Sequence, residues 1–347
     1  MIKYLGSKRT LVPVLSKLAS ASGAATSLDL FTGTTRVARA FKELGQHVTA
    51  ADLASYSHVF AKTWIELDAD SVSQLELSDA LAHLNSVSPQ AGYFTQAFCI
   101  DARYLQPKNG ERVDAIRETI ELEYRDSWLY FPLLTSLILA ADRVDSTTGL
   151  QMAFLKNWAA RSHKPLELTD PGLLPGAGAA FQGDALTLAG ELPAVDLAYL
   201  DPPYNQHRYF ANYHVWESLV RWDKPETYGI ANKRIDVRDD STKSAFNSKK
   251  TMAESLAKVI ADLKCETLVL SYNNESWLSR EELRAICSGK GRVEILDYDF
   301  KRYIGAHIGV YNKQGEKVGE PTHSRNVEHI VLAGPSTTVQ RMLDALK

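Results

Sequence analysis

Short apolar runs alternate with amphipathic stretches at both ends of the chain, and the middle breaks the rhythm. Residues 27–31 (SLDLF) read as a short strand and TGTT as a tight turn. RVARAFKELG then reads as a helix, with Val37, Ala40, Phe41 and Leu44 at helical spacing and Gly45 as its stop. HVTAADL follows as a second strand ending on Asp52, which completes a βαβ unit. From about residue 56 to 168 the pattern becomes helical and amphipathic, as in ERVDAIRETIELEYRDSWLYFPLLTSLILAADRV. Residues 169–180 (TDPGLLPGAGAA) have the Pro and Gly density of a connector. Alternation then resumes through FQGDAL, VDLAYLDPPY, a helix containing YHVWESLVRW, a long polar loop, helix TMAESLAKVIADL, strand TLVLSYNN, helix SREELRAICS and strands RVEILDYDF and NVEHIVLAG. The expected architecture is α/β: a mostly parallel sheet with helices on both faces and a C-terminal β-hairpin. It is built from residues 1–58 and 181–347, with an inserted, mainly helical region at 59–180.

In AYLDPPYNQHRY an acid, two prolines and a tyrosine follow an apolar run directly. Proline fixes φ and lacks an N–H, so Pro202 and Pro203 must end the strand and hold Asp201 and Tyr204 on a stiff turn. That turn lies at a strand's carboxyl end, where open α/β sheets bind ligands. Asp52 lies 23 positions after Asp29, near the ~20-residue spacing of an acid that grips a ribose. Taken singly these features are weak, since Gly after a strand is a common turn device and an acid at a strand end is usually a helix cap. Together, a glycine turn, Asp52, Asp184 and DPPY open onto one edge of one sheet.

The 347 residues, 45% of them hydrophobic, suffice for a large core. No apolar run is long enough for a membrane span, and the short apolar part of the amino terminus does not read as a signal peptide, so a cytoplasmic protein is expected. Three widely spaced cysteines without a CxxC pair suggest neither a disulfide framework nor a zinc site. A net charge of −3 argues against histone-like binding of nucleic acid but leaves room for a local basic face.

The set YLGSK, DLFTGTT, ADL, GDA and DPPY, in this order, resembles the Dam-like amino-group DNA methyltransferases, which use S-adenosylmethionine to methylate adenine at N6 and include modification enzymes of restriction systems. The likeness is clear over residues 1–58 and 181–335 and thin between them. It implies a Rossmann-like class I methyltransferase sheet. It also implies that Tyr4 and Lys8 flank the methionine part of S-adenosylmethionine and that Asp29, Phe31 and Gly33 line its turn. Asp52 would take the ribose hydroxyls and Asp184 would contact the cofactor adenine. The family commonly has a second glycine where this chain has Thr35. Asp201, Pro202, Pro203 and Tyr204 are implied as catalytic, and Tyr303 as a wall of the pocket for a flipped base. Double-stranded DNA is the implied partner, with a restriction endonuclease acting at the same site where such a system exists. One complete set of motifs suits a monomer, and transfer from a sulfonium needs no metal.

The resemblance places target recognition in the helical region, with residues 93–114 as the best reading loop and Arg103, Lys108, Asn109 and Arg112 as its contacts to bases or phosphates. Residues 224–250, with seven Lys or Arg against four acids, form a second candidate, as a phosphate clamp. Methylation of RNA by the same chemistry and a catalytically silent DNA-binding protein stay open at this point. A nicotinamide dehydrogenase is the fold-level alternative, but the glycine turn lacks GxGxxG.

Overall fold

The computed structural model describes residues 1–203, 208–274, 276–301, 310–311, 317–319 and 325–347. The strands are β1 (Thr26–Asp29), β2 (His47–Asp52), β3 (Ala179–Gln182), β4 (Val195–Leu200), β5 (Cys265–Asn273), β6 (Arg292–Lys301) and β7 (Arg325–Gly334). They lie in the order β3-β2-β1-β4-β5-β7-β6. Pairing is parallel from β3 through to β5, and β7 runs antiparallel to both β5 and β6. The expected C-terminal antiparallel pair is therefore β6 with β7. From β1 the chain moves outward to β2 and β3 and returns on the other side of β1 at β4, which makes the β1/β4 boundary the topological switch point.

The central strands are buried on both faces, as a parallel sheet requires. Along β4, Leu197 and Tyr199 join one hydrophobic cluster, whereas Ala198 and Leu200 join the other. The second cluster is closed by helices α7 (Ala185–Glu191) and α8 (Met252–Asp262), through Leu188, Leu256 and Val259. The first takes in α1 (Val12–Ser22), α2 (Arg36–Glu43) and α3 (Ser55–Ala61) and continues into α4 (Gln74–Ser86), α5 (Pro107–Tyr124) and α6 (Tyr130–Val144). The helical middle of the chain thus shares an apolar core with one face of the sheet.

The segment 93–114 is helical over residues 93–100 and from Pro107 on, with an irregular stretch at 101–106. Tyr93–Thr95 leads into a π turn at Gln96–Ile100, and Pro107 opens α5 at the first helical position, where a missing N–H costs nothing. The Asp114 carboxylate folds the entry back on α5 by accepting from the N–H groups of Gly92, Phe94 and Thr95 at 2.7–2.9 Å. The polar residues expected to read DNA here are engaged within the fold. Asn109, 1% exposed, donates to the carbonyls of Ser162 (3.3 Å) and Lys164 (3.0 Å) and accepts from Leu166 N–H at 3.0 Å. Arg112 donates to the carbonyls of Asn85, Val87 and Leu166. Lys108 reaches His163 O at 2.8 Å, and Arg103 bonds Lys156 O while its guanidinium lies 4.6 Å from the Trp158 ring centre. Periodicity cannot reveal this role, because a polar residue that straps a returning segment has the same spacing as one that faces solvent.

Replacing Asn109 by Ala leaves a buried N–H and two carbonyls without partners, so unfolding in urea should show a loss of about 2–3 kcal/mol; an unchanged midpoint would free Asn109 for another role.

Candidate active site

Register sets the height of every acid in the site. Asp29, the last residue of β1, pairs with Ala50 on one side and Tyr199 on the other. Asp52 and Asp201 each stand two residues further on, at the same level across the switch point. Asp52 pairs in turn with Gln182, so Asp184 stands two residues beyond that level, just past the end of β3. Parallel pairing therefore brings three carboxylates, distant in sequence, to one edge.

Each acid has a distinct local task. The Asp52 carboxylate accepts from Gly33 N–H at 2.8 Å and Ala54 N–H at 2.9 Å, which ties the β1 turn to the end of β2; burial raises its pKa. Asp184 caps α7 by accepting from Leu186 N–H at 2.9 Å and is exposed at the rim. Asp29 lies beneath the turn rather than on its surface. Its Oδ2 accepts from Thr32 Oγ1 and Ala38 N–H, its Oδ1 is buried without a partner, and burial raises its pKa to about 8. Asp201 sits where β4 stops before Pro202 and Pro203, and its Oδ1 lies 2.9 Å from the Lys8 ammonium. Burial raises the Asp201 pKa to about 6, against the opposing pull of Lys8.

These elements enclose a cleft with about 890 Å³ of space, open to solvent. It is lined by Tyr4, Leu5, Phe31, Asp52 and Asp184 and by Asp201, Pro203, Tyr209 and Phe210. Tyr4 is stacked in a column with Tyr213 (4.8 Å) and Tyr209 (5.4 Å), which fixes its ring over the β1 turn. Gly33, at φ +52°, lies directly under that ring, and a Cβ there would meet Tyr4 atoms at 3.0–3.2 Å. Thr35, at the position where a glycine was expected, adopts φ +58° while fully buried, so the left-handed turn is kept with a β-branched residue.

Of the residues singled out from the sequence, Tyr4, Phe31, Asp52, Asp184, Asp201 and Pro203 face the cleft. Gly33 and Asp29 support the turn from below, and Pro202 is buried. Lys8 binds Asp201 and, at 2.6 Å, Glu328. Tyr204 and Tyr303 lie outside the described residues. Beside the cleft, His214 is fully buried with Nε2 2.9 Å from Gln151 O, and burial lowers its pKa to about 3. Two contributions escaped the sequence reading. Thr242, Ser244, Phe246 and Asn247 close one end of the cleft, with Phe246 edge-on to Phe31 at 5.1 Å. Glu328 comes from β7; its one signal was an acid inside the otherwise apolar NVEHIVLAG.

Gly33→Ala should destabilise the protein by about 1–2 kcal/mol, the cost of a left-handed non-glycine residue, and displace the Tyr4 ring. Chemical denaturation and tyrosine fluorescence would register both, and wild-type values in both would remove the close contact between turn and ring.

The model of the D12 class N6 adenine-specific DNA methyltransferases matches residues 4–286. The type II methyltransferase M.NlaIII of Neisseria lactamica is 31% identical over 318 residues, covering 87% of this chain and 92% of the relative. The modification methylase StsI of Streptococcus sanguinis is 32% identical over 328 residues, covering 88% of this chain, which spans 50% of StsI. M.CviAII of Paramecium bursaria Chlorella virus 1 is 29% identical over 283 residues, covering 79% of this chain and 83% of that relative. With the motif order, the strand order and the match over residues 4–286 in agreement, the chain belongs to the D12 class of N6 adenine-specific DNA methyltransferases.

Proposed function

We propose that this protein transfers a methyl group from S-adenosylmethionine to the N6 amino group of an adenine flipped out of double-stranded DNA. The observation that carries the reading is that Asp201 lines the same cleft as Tyr4, Phe31, Asp52 and Asp184.

The donor set fits S-adenosylmethionine. Each Asp52 oxygen accepts one backbone N–H and has a further lone pair for a ribose hydroxyl. Asp184 supplies an acceptor for the adenine amino group at the rim, and Phe31 with Phe246 offers apolar faces to the purine. The acids lining the cleft, Asp52, Asp184 and Asp201, suit a ligand that carries an ammonium and a sulfonium. When bound, S-adenosylmethionine supplies an electrophilic methyl group on positive sulfur.

The target amino group is a weak nucleophile because its lone pair is delocalised into the ring. Asp201 Oδ2 and the backbone carbonyl of Pro202 would each accept one of its N–H bonds, draw nitrogen toward tetrahedral geometry and stabilise the positive charge that develops on it. The prolines keep these two acceptors in fixed relation. In-line placement of the reacting atoms contributes roughly 7–11 kcal/mol, so positioning, with no covalent enzyme intermediate, supplies most of the rate. Tyr204 and Tyr303 are proposed to hold the flipped base, with stacking returning about 1–3 kcal/mol of the flipping cost.

Residues 59–180 are proposed to form the target-recognition region. Backbone contacts are assigned to the 224–250 segment. Lys224, Arg234 and Lys243 there are already paired with Glu118, with Asp223 and Asp236, and with Asp240. Lys233, Arg238, Lys249 and Lys250 make no ion pair with the described residues, and the last two are exposed directly after the cleft wall. A role as the modification enzyme of a restriction system accords with these relatives.

Incubation with methyl-labelled S-adenosylmethionine and duplex DNA should place label in N6-methyldeoxyadenosine on digestion; label confined to RNA would overturn the DNA reading. Because only the ionised Asp201 carboxylate offers negative charge to the nitrogen that becomes cationic, kcat/KM should fall about tenfold per pH unit below about 6, and Asp201→Ala should abolish turnover while S-adenosylmethionine still binds. Changing Lys249 and Lys250 together to Ala should weaken DNA binding uniformly across sequences and lower the salt slope by about two. An unaltered slope would move the phosphate contacts elsewhere.

A further inference from the structure

Lys8 Nζ lies between two carboxylates, 2.9 Å from Asp201 Oδ1 and 2.6 Å from Glu328 Oε1. The two acids differ in setting. The Asp201 side chain is 19% exposed and faces the cleft, whereas the Glu328 side chain is 5% exposed and projects from β7, a strand paired on both sides. Across the sheet Glu328 stands opposite Asn273 of β5 and Tyr298 of β6. It falls outside residues 4–286, the part of the chain that the family model matches.

A carboxylate buried in a strand is strongly unfavourable unless it is paired. Glu328 meets that condition by binding Lys8, and the geometry makes this more than neutralisation. An ammonium has three donors and no preferred plane. Held by Asp201 alone, Lys8 would follow whatever rotamer that carboxylate adopts. Held first by a buried acid on a central strand, Lys8 becomes a fixed point, and Asp201 must align with it. Oδ1 is then occupied by Lys8, which leaves Oδ2 as the oxygen available to the cleft.

We propose that Glu328 is a positioning residue for the methyl-transfer site: it anchors the Lys8 ammonium to the sheet, and Lys8 in turn holds Asp201 by Oδ1 so that Oδ2 is presented to the target amino group. This inference rests on the reading of Asp201 as the acceptor of that group. A second consequence concerns charge. The titratable groups that act on Asp201 among the described residues are Lys8, Glu328, Asp29 and Tyr199. Lys8 favours its ionised form and Glu328 disfavours it. The pair leaves Asp201 anionic at neutral pH while keeping it a better acceptor than a carboxylate facing an uncompensated lysine.

The test compares the full-length wild type with Glu328→Gln and Glu328→Asp. Methylation of plasmid DNA, S-adenosylmethionine affinity by calorimetry, and the Asp201 carboxyl titration by carbon-13 NMR of the protein without cofactor are measured for each. By analogy with residues that orient metal ligands, Glu328→Gln should lower kcat about 10- to 100-fold. S-adenosylmethionine affinity should stay within about twofold of wild type, since Glu328 is not on the cleft wall. Removing a negative neighbour should move the Asp201 titration, and the acidic limb of kcat, to lower pH. Glu328→Asp keeps the charge on a shorter arm and should restore the titration toward wild type with part of the rate. Unchanged kcat and unchanged titration in Glu328→Gln would overturn the inference. So would parallel loss of cofactor affinity and rate in both variants, which would make Glu328 a general support of the fold. Labelled deoxyadenosine from the wild type keeps the two readings apart. With that label present, a Glu328→Gln rate equal to wild type refutes the positioning role alone; with wild-type label absent, the methyl-transfer reading fails and this inference falls with it.

Discussion

The parallel pairing of β1 with β2 on one side and β4 on the other is the constraint from which the site follows. Backbone hydrogen bonds in register place Asp52 and Asp201 at equal height on either side of β1, and the β2/β3 pairing carries Asp184 to the same edge. A slip of one residue would turn each side chain to the opposite face of the sheet. The apolar alternation of β4, with Leu197 and Tyr199 in one cluster and Ala198 and Leu200 in the other, makes such a slip costly. The core thus specifies the geometry of the acids at the cleft edge from a distance.

One point of backbone strain falls where this frame has to turn. Gly33 and Thr35 both take left-handed conformations within three residues, and the Asp52 carboxylate closes the turn through Gly33 N–H. A β-branched residue at φ +58° is tolerated because the surrounding core over-determines the backbone there. Asp29 shows the same economy of space: two contacts hold one oxygen, the other has none, and the carboxyl keeps its proton to about pH 8.

The sheet and most cleft-facing residues were legible in the sequence for a physical reason. Short apolar runs ending in an acid, a glycine turn or two prolines are local signals, and each is produced by the few residues around it. Phe246 and Glu328 were not legible, because their roles depend on which distant strand or loop returns to the cleft. The bonds of Asn109 and Arg112 within the fold were hidden for a related reason. A solvent-facing donor and one that straps a returning segment look alike until the segment 162–168 is seen lying against α5. The segment 224–250 was half legible: its positive charge is real, but much of it is spent on Asp223, Asp236, Asp240 and Glu118.

The hydrophobic cluster that runs from Leu197 and Tyr199 through Phe60 and Trp64 to Ile116 and Leu133 bears on how the middle of the chain can diverge. That region is not a cassette that can be cut out and grafted between relatives, because it shares one apolar core with the sheet. Under the proposed role of the region in target recognition, exchange of specificity proceeds by changes on the outer helical faces and connecting segments, with the inward face held constant. A chimera joined at the obvious sequence boundaries would inherit two halves of one core, cut to different shapes.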